Sequence, residues 1–137
     1  MNISFLDRSN YLKGLMIIAK KDKQLAESEK NIIRKVGEKL GFAEDFYEDT
    51  LKSLLANKYI LDDPIIFSDG LVAKSFVKDG LTLAFSDNKV SDIEIDWLKL
   101  TSAANGIDDD WFNNRLHSLE NSKVSLASEE FALYSII

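Results

Sequence analysis

Two parts of the chain repeat each other at a constant separation of 65 residues, without a gap. The stretch IAKKDKQLAESE at 18–29 is matched by LAFSDNKVSDIE at 83–94. Matched positions share their apolar, acidic or glycine character: Ala19 and Ala84, Asp22 and Asp87, Glu29 and Glu94, Gly41 and Gly106, Leu51 and Leu116. A long ungapped series of this kind indicates an internal duplication, with copies near 12–56 and 77–121. Two copies favour a bundle with pseudo-twofold symmetry, because a solenoid needs three or more.

The spacing of the apolar residues predicts an all-α protein. One proline and six glycines interrupt 137 residues, and apolar side chains recur at helical intervals, as at Leu12, Leu15, Met16 and Ala19. We expect a single domain over residues 1–137, a bundle of about seven helices. The first helices are expected near 6–21, 27–40 and 44–56, with Gly41 as a left-handed helix stop. A fourth is expected to be capped by Ser68 and to end near 86.

Composition and charge exclude several classes of function. The absence of cysteine excludes disulfides, thiolate zinc sites, iron–sulfur clusters and cysteine nucleophiles. The net charge of −6 argues against non-specific binding to nucleic acid, since the phosphates would be repelled. The N-terminus lacks the features of a signal peptide, and no apolar run approaches the roughly 18 residues of a membrane span. We therefore expect a soluble, cytoplasmic protein with no membrane span.

The repeated acids form a candidate metal site. Glu29 and Glu94 head the inward-facing stripe of the second helix in each copy, and Asp22 and Asp87 extend the stripe of the helix before it. Each hairpin thus brings one aspartate and one glutamate to the same end of its buried seam. Crowded, poorly hydrated carboxylates must be protonated, hydrogen-bonded or neutralised by a cation. Ligands that are all oxygen would select Ca²⁺, Mg²⁺ or Mn²⁺.

The same acids also allow a purely structural interpretation. The run SDIE is a capping box in which Ser91 and Glu94 would satisfy each other's backbone amides, although the first copy has Ala26 at the capping position. Asp22 and Asp87 would then be loop aspartates that bond the local backbone. Neither loop is an EF-hand, because its twelfth position is apolar. Capping and cation binding both remain open.

The runs YLKGLMIIAKKDKQLAESEKNIIRKVGEKLGF and FVKDGLTLAFSDNKVSDIEIDWLKLTSAANGI resemble TerB-like (tellurite-resistance) domains. In that family an apolar helix leads to an Asp-Gly loop, an aliphatic residue and a helix opened by Glu. The resemblance covers roughly 7–116, and Lys23 and Asn88 stand where the loop has Gly. It implies a pseudo-twofold helical bundle, stress or metal-resistance associations, and a role in divalent cation binding or membrane-linked stress complexes. The implied metal ligands are the four repeated acids named above.

Other residues give weaker signals. The lone His117 has no nucleophile motif near it and is expected at the surface or in helix packing. Asp79 lies in an otherwise apolar helix and would either add a ligand or bond a neighbouring helix. The aromatic pairs at 46–47 and 111–112 would either form a ligand-stacking site or anchor helices to the core, and core anchoring is expected. The apolar segment SEEFALYSII either closes the core or docks on a partner.

These observations predict a non-enzymatic helical stress-response module. Its carboxylates would bind a divalent cation, or its acidic face would bind other proteins, or both. Two alternatives stay open. One is a metal-dependent hydrolase that uses the same carboxylates, although no further general base is evident. The other is an adaptor in which the acids are purely structural.

Overall fold

The computed structural model describes residues 3–21, 27–56, 63–86, 92–120 and 131–136. These residues form six α-helices and a short 3₁₀ helix, and no strand occurs among them. The helices are α1 (Phe5–Lys21), α2 (Glu27–Lys39), α3 (Glu44–Ala56), α4 (Gly70–Phe85), α5 (Asp92–Ala104) and α6 (Asp109–Glu120), followed by the C-terminal 3₁₀ helix (Ala132–Ser135). The all-α prediction is confirmed.

The helix starts keep the register of the sequence repeat. The first residues of α4, α5 and α6 follow those of α1, α2 and α3 by 65 positions each: Phe5 and Gly70, Glu27 and Asp92, Glu44 and Asp109. The origin of this register in a duplication stays a prediction.

The six helices pack as two groups of three around a central pair. Helices α1 and α4 pack against each other, α2 and α3 pack on α1, and α5 and α6 pack on α4. The C-terminal 3₁₀ helix also packs on α4. The buried apolar side chains of all these elements form one continuous core. Burial of this shared apolar surface is the main favourable term that holds the helices together.

Helices α2 and α5 end in the same way. Gly41 and Gly106 have φ values of 90° and 74°, in the left-handed region that favours glycine. The next residue then bonds back across the turn: the Phe42 amide donates to the carbonyl of Gly37 at 3.1 Å, and the Ile107 amide donates to that of Ser102 at 3.1 Å. This is the Schellman arrangement. The prediction that Gly41 stops a helix is confirmed.

The predicted cap of α4 is wrong by one residue. Asp69, with extended backbone angles, is the N-cap, and its Oδ1 accepts from the Leu71 amide at 2.8 Å. Ser68 instead donates from its amide and its hydroxyl to the carboxylate of Asp7. Both residue types cap helices well, so the tertiary contact with Asp7 decides which of them does so.

Gly80 marks a close approach between α4 and its neighbours. A Cβ there would lie 2.6 Å from Cδ2 of Leu98 and 2.9 Å from Cδ1 of Ile18. The helix runs unbroken through this position. The glycine therefore allows α1 and α5 to pack closely on α4.

Candidate functional site

The two repeated glutamates are buried at equivalent places. Glu29 in the first turn of α2 and Glu94 in the first turn of α5 are each 1% exposed. In the same turns Glu27 and Asp92 are exposed. The inward-facing position that the apolar stripes predict for the glutamates is therefore found in both halves of the chain.

The two repeated aspartates, Asp22 and Asp87, lie outside the described residues. Within the described ranges, no group of three or more histidine, cysteine, aspartate or glutamate side chains is arranged to hold a metal ion. The predicted pairing of each glutamate with its aspartate therefore falls partly outside those ranges. The four-residue metal site remains a prediction.

A third buried acid, Asp79 of α4, joins three parts of the chain. It is 1% exposed. The Ala132 amide donates to its Oδ1 at 2.6 Å, and the Leu133 amide donates to its Oδ2 at 3.1 Å. The Tyr11 hydroxyl of α1 also donates to Oδ2, and it lies 2.8 Å from Oγ of Ser75. Of the two roles that the sequence left open, bonding to a neighbouring helix is the one observed.

Burial controls the charge of this group. It raises the pKa of Asp79 to about 6, against the opposing effects of the Tyr11 hydroxyl, the two backbone amides and the positive charge of Arg115. Burial also raises the pKa of the Tyr11 hydroxyl, and the negative charge of Asp79 raises it further. At neutral pH Asp79 is therefore an ionised acceptor whose hydrogen bonds hold the C-terminal 3₁₀ helix on α4.

Asp7 is a fourth buried acid, and it is not among the residues that the sequence patterns single out. It is 2% exposed, and it accepts from the Ser68 amide at 3.1 Å and from the Ser68 hydroxyl. Its own amide donates to Oγ of Ser4 at 3.1 Å, which caps α1. A serine followed three residues later by an acid is the available sequence signal, since it is typical of a capped helix start. Asp7 ties the start of α1 to the segment that enters α4.

The two residues of each aromatic pair differ in burial. Tyr47 and Phe112 are buried, as predicted. Phe46 is 49% exposed, so the prediction that it anchors a helix in the core is wrong. Its ring instead stacks on Phe42 at a centroid distance of 5.0 Å. Trp111 is only partly buried, packed against the edge of the core.

His117 lies at the surface, which is one of the two locations expected from the sequence. Its side chain is 72% exposed, and its Nδ1 is 3.5 Å from Oε2 of Glu120.

Comparison with known proteins gives no relative. No family model matches the chain, and no curated protein or solved structure matches it. The resemblance to TerB-like domains thus depends on the sequence pattern alone. Among the described helices, none combines the length and the apolar character that crossing a bilayer requires.

Proposed function

We propose that this chain is a non-enzymatic, TerB-like helical module that binds a divalent cation through the repeated acids. The ligands would be Asp22 and Glu29 in the first hairpin, and Asp87 and Glu94 in the second. The observation that carries the proposal is the near-complete burial of both glutamates at equivalent positions.

Helix capping alone does not require the side chains of Glu29 and Glu94 to be buried. An acid in a first turn favours the helix dipole even when it is exposed to water, and Glu27 and Asp92 already fill that role at the surface. Removing a carboxylate from water is unfavourable unless a partner compensates for the lost hydration. Hydrogen bonds, ion pairs or a bound divalent cation can each offset that loss, and Ca²⁺, Mg²⁺ and Mn²⁺ are the ions that oxygen ligands favour.

The common register of the helices supports two related sites. Helices α2 and α5 begin 65 residues apart, and each ends in the same type of turn. A duplication of one helical hairpin accounts for both features, and it would have copied the acids together with their surroundings. The proposed cellular role, in a stress response and in contact with other proteins, follows from the resemblance and from the acidic net charge of −6.

Thermal unfolding with and without divalent cations tests this proposal. Protein treated with EDTA should melt at a lower temperature than protein given Ca²⁺, Mg²⁺ or Mn²⁺. A cation at 100 times its dissociation constant adds about 2.7 kcal/mol to the free energy of unfolding. The double variant Glu29→Gln with Glu94→Gln should lose this shift.

The matched control is the double variant Glu27→Gln with Asp92→Asn, which removes two exposed acids from the same turns. It should keep the full cation-dependent shift. If the buried variants are too unstable to study, Asp22→Asn with Asp87→Asn tests the same sites. A wild-type protein that none of the three cations stabilises, or a shift that survives loss of the glutamates, would contradict the proposal.

A further inference from the structure

Two lysines of α4 lie over one indole ring of α6. The ammonium nitrogens of Lys74 and Lys78 are 5.8 Å and 5.9 Å from the centroid of Trp111. The two lysines are four residues apart, so they are neighbours on one helix face. Lys74 is exposed, and Lys78 and Trp111 are partly buried. The three side chains form a half-open basic surface at the seam between α4 and α6.

Arg115 adds a third positive charge at this seam. It follows Trp111 by one helical turn on α6, and its charge lowers the pKa of Asp79, the residue next to Lys78 on α4. Its Nε is buried and has no hydrogen-bond acceptor among the described residues. Arg115 therefore has donor capacity that the described part of the fold does not use.

Lys74, Lys78 and Arg115 form no salt bridge with any residue that the structure describes. Within the described ranges, the salt bridges join Lys30 to Glu27, Arg34 to Glu48 and His117 to Glu120. None of them involves Lys74, Lys78 or Arg115. Like charges four residues apart on a helix destabilise it, so the pair Lys74 and Lys78 is unfavourable without a counter-charge. The nearby negative charge of Asp79 acts on Arg115.

The first half of the chain shows that the fold does not require this cluster. The positions 65 residues before Lys74, Lys78, Trp111 and Arg115 are Ser9, Lys13, Phe46 and Thr50. The four matched positions on α1 and α3 thus carry one cation in place of three. There the Thr50 hydroxyl donates to the carbonyl of Phe46 within its own helix. At these matched positions, the basic cluster therefore occurs only in the second half.

We propose that Lys74, Lys78 and Arg115 form a binding site for the phosphoryl group of a small phosphate monoester. A phosphate dianion would accept charge-assisted hydrogen bonds from the two ammonium groups and paired bonds from the planar guanidinium. The Trp111 ring forms one wall of the site, beside the ester group. The net charge of −6 opposes binding of a long nucleic acid, whose phosphates extend well beyond a local cluster. The site shares no residue with the proposed cation sites.

Tryptophan fluorescence can report binding at this site. The chain has two tryptophans, and Trp97 is buried, so a Trp97→Phe background leaves Trp111 as the only indole. Inorganic phosphate and phenyl phosphate are titrated against sodium chloride at the same ionic strength. Both phosphates should give a saturable change that chloride does not give. Tighter binding of phenyl phosphate than of inorganic phosphate is the expected result, and equal binding would overturn the assignment to an ester.

The double variant Lys74→Gln with Lys78→Gln should weaken binding by about ten-fold or more, because it removes two charge-assisted contacts. The control is Lys35→Gln with Lys99→Gln, which removes the same charge from exposed positions and should bind as the parent does. Calorimetry on the otherwise unchanged chain replaces fluorescence if Trp97→Phe does not fold. A chloride response equal to that of phosphate, or equal weakening in both double variants, would overturn the site.

Discussion

Tyr11 and Phe76, which occupy equivalent positions in the two halves of the chain, meet edge-to-face with their ring centroids 5.4 Å apart. Each of the two side chains also contacts the residue three positions after the other aromatic residue. The Phe76 ring packs on Gly14, and the Tyr11 hydroxyl donates to Asp79. Gly14 and Asp79 are themselves 65 residues apart. The packing of α1 on α4 thus uses the same pair of positions in each half with different chemistry. Gly14 makes room for the Phe76 ring, and the Asp79 carboxylate accepts a hydrogen bond from the Tyr11 hydroxyl.

Replacing Gly14 with alanine should destabilise the protein. The added Cβ would lie 2.4 Å from Cζ and 2.5 Å from Cε1 of Phe76, whose ring is fully buried and cannot move away freely. Overpacking of this kind lowers the free energy of unfolding by about 1–3 kcal/mol, although alanine normally favours a helix. Urea unfolding measures the change.

Two variants sharpen that test. Gly70→Ala is the matched control, because nothing lies within 4 Å of its Cβ position, and it should leave stability unchanged or raise it slightly. Phe76→Leu combined with Gly14→Ala should recover part of the loss, since the smaller side chain relieves the contact. Equal effects of alanine at positions 14 and 70 would show that the close contact does not matter.

The raised pKa of Asp79 should make stability fall as the pH rises from about 4 to about 6. Its pKa is about 6 in the folded protein against an ordinary value of 3.8, so the folded state holds the proton more tightly. The contribution of this group is most favourable below pH 4 and is lost as the carboxyl ionises. Across the whole interval the effect is about 3 kcal/mol. Urea unfolding at several pH values should show that lowering the pH from about 6 to about 4 favours folding more in the wild type than in Asp79→Asn.

Asp96→Asn provides the control for that experiment. Asp96 is exposed on α5, so its replacement should leave the pH dependence of the wild type in place. Parallel stability curves for the wild type and Asp79→Asn between pH 4 and pH 7 would mean that Asp79 does not titrate in this range.

Local sequence signals predicted most of the helices. The bounds of α3, the start of α2 and the stop at Gly41 follow from apolar spacing, acidic first turns and the preference of glycine for positive φ. The burial of Glu29 and Glu94 was also predictable, because each stands on the apolar stripe of its own helix. These features depend on residues within two or three turns of each other.

Contacts between distant residues were not predictable in this way. The Ser68 amide bonds to Asp7 across 61 positions, and the Ala132 amide bonds to Asp79 across 53. No local pattern shows which serine will cap a helix and which will bond a distant carboxylate. The partnership of Lys74 and Lys78 with Trp111 was missed for the same reason, since it joins two helices that are separated by α5 in the chain.

Alanine at Gly41 and at Gly106 should lower stability by similar amounts. Both glycines have positive φ and end helices in the same type of turn. A left-handed backbone costs a residue with a side chain about 1–2 kcal/mol. Neither Cβ would meet a crowded neighbour, as the nearest atom is Nη1 of Arg8 at 3.6 Å from position 41. The loss measured by urea unfolding should therefore be conformational and nearly equal at the two sites.

Asparagine tests that explanation, because it adopts the left-handed conformation more readily than alanine does. Gly41→Asn and Gly106→Asn should each retain more stability than the corresponding alanine variant. If asparagine and alanine destabilise to the same extent, the backbone conformation is not the reason for the loss.

The C-terminal segment should contribute to the stability of the core. Leu133 is fully buried, and its amide bonds to Asp79, so the 3₁₀ helix is held by both apolar packing and a hydrogen bond. Leu133→Ala should lower the free energy of unfolding by about 2–5 kcal/mol. The exposed Ser135→Ala is the control, and its effect should be small.

The alternative role of this segment, docking on a partner, makes the opposite prediction. A segment that packs on another protein adds little to the stability of the isolated chain, so Leu133→Ala would then resemble Ser135→Ala. A double variant with Asp79→Asn separates the two interpretations further. If the segment closes the core, either single change already loosens it, and the combined loss should be smaller than the sum of the two. Additive losses in urea unfolding would show that the carboxylate and the leucine act on independent parts of the structure.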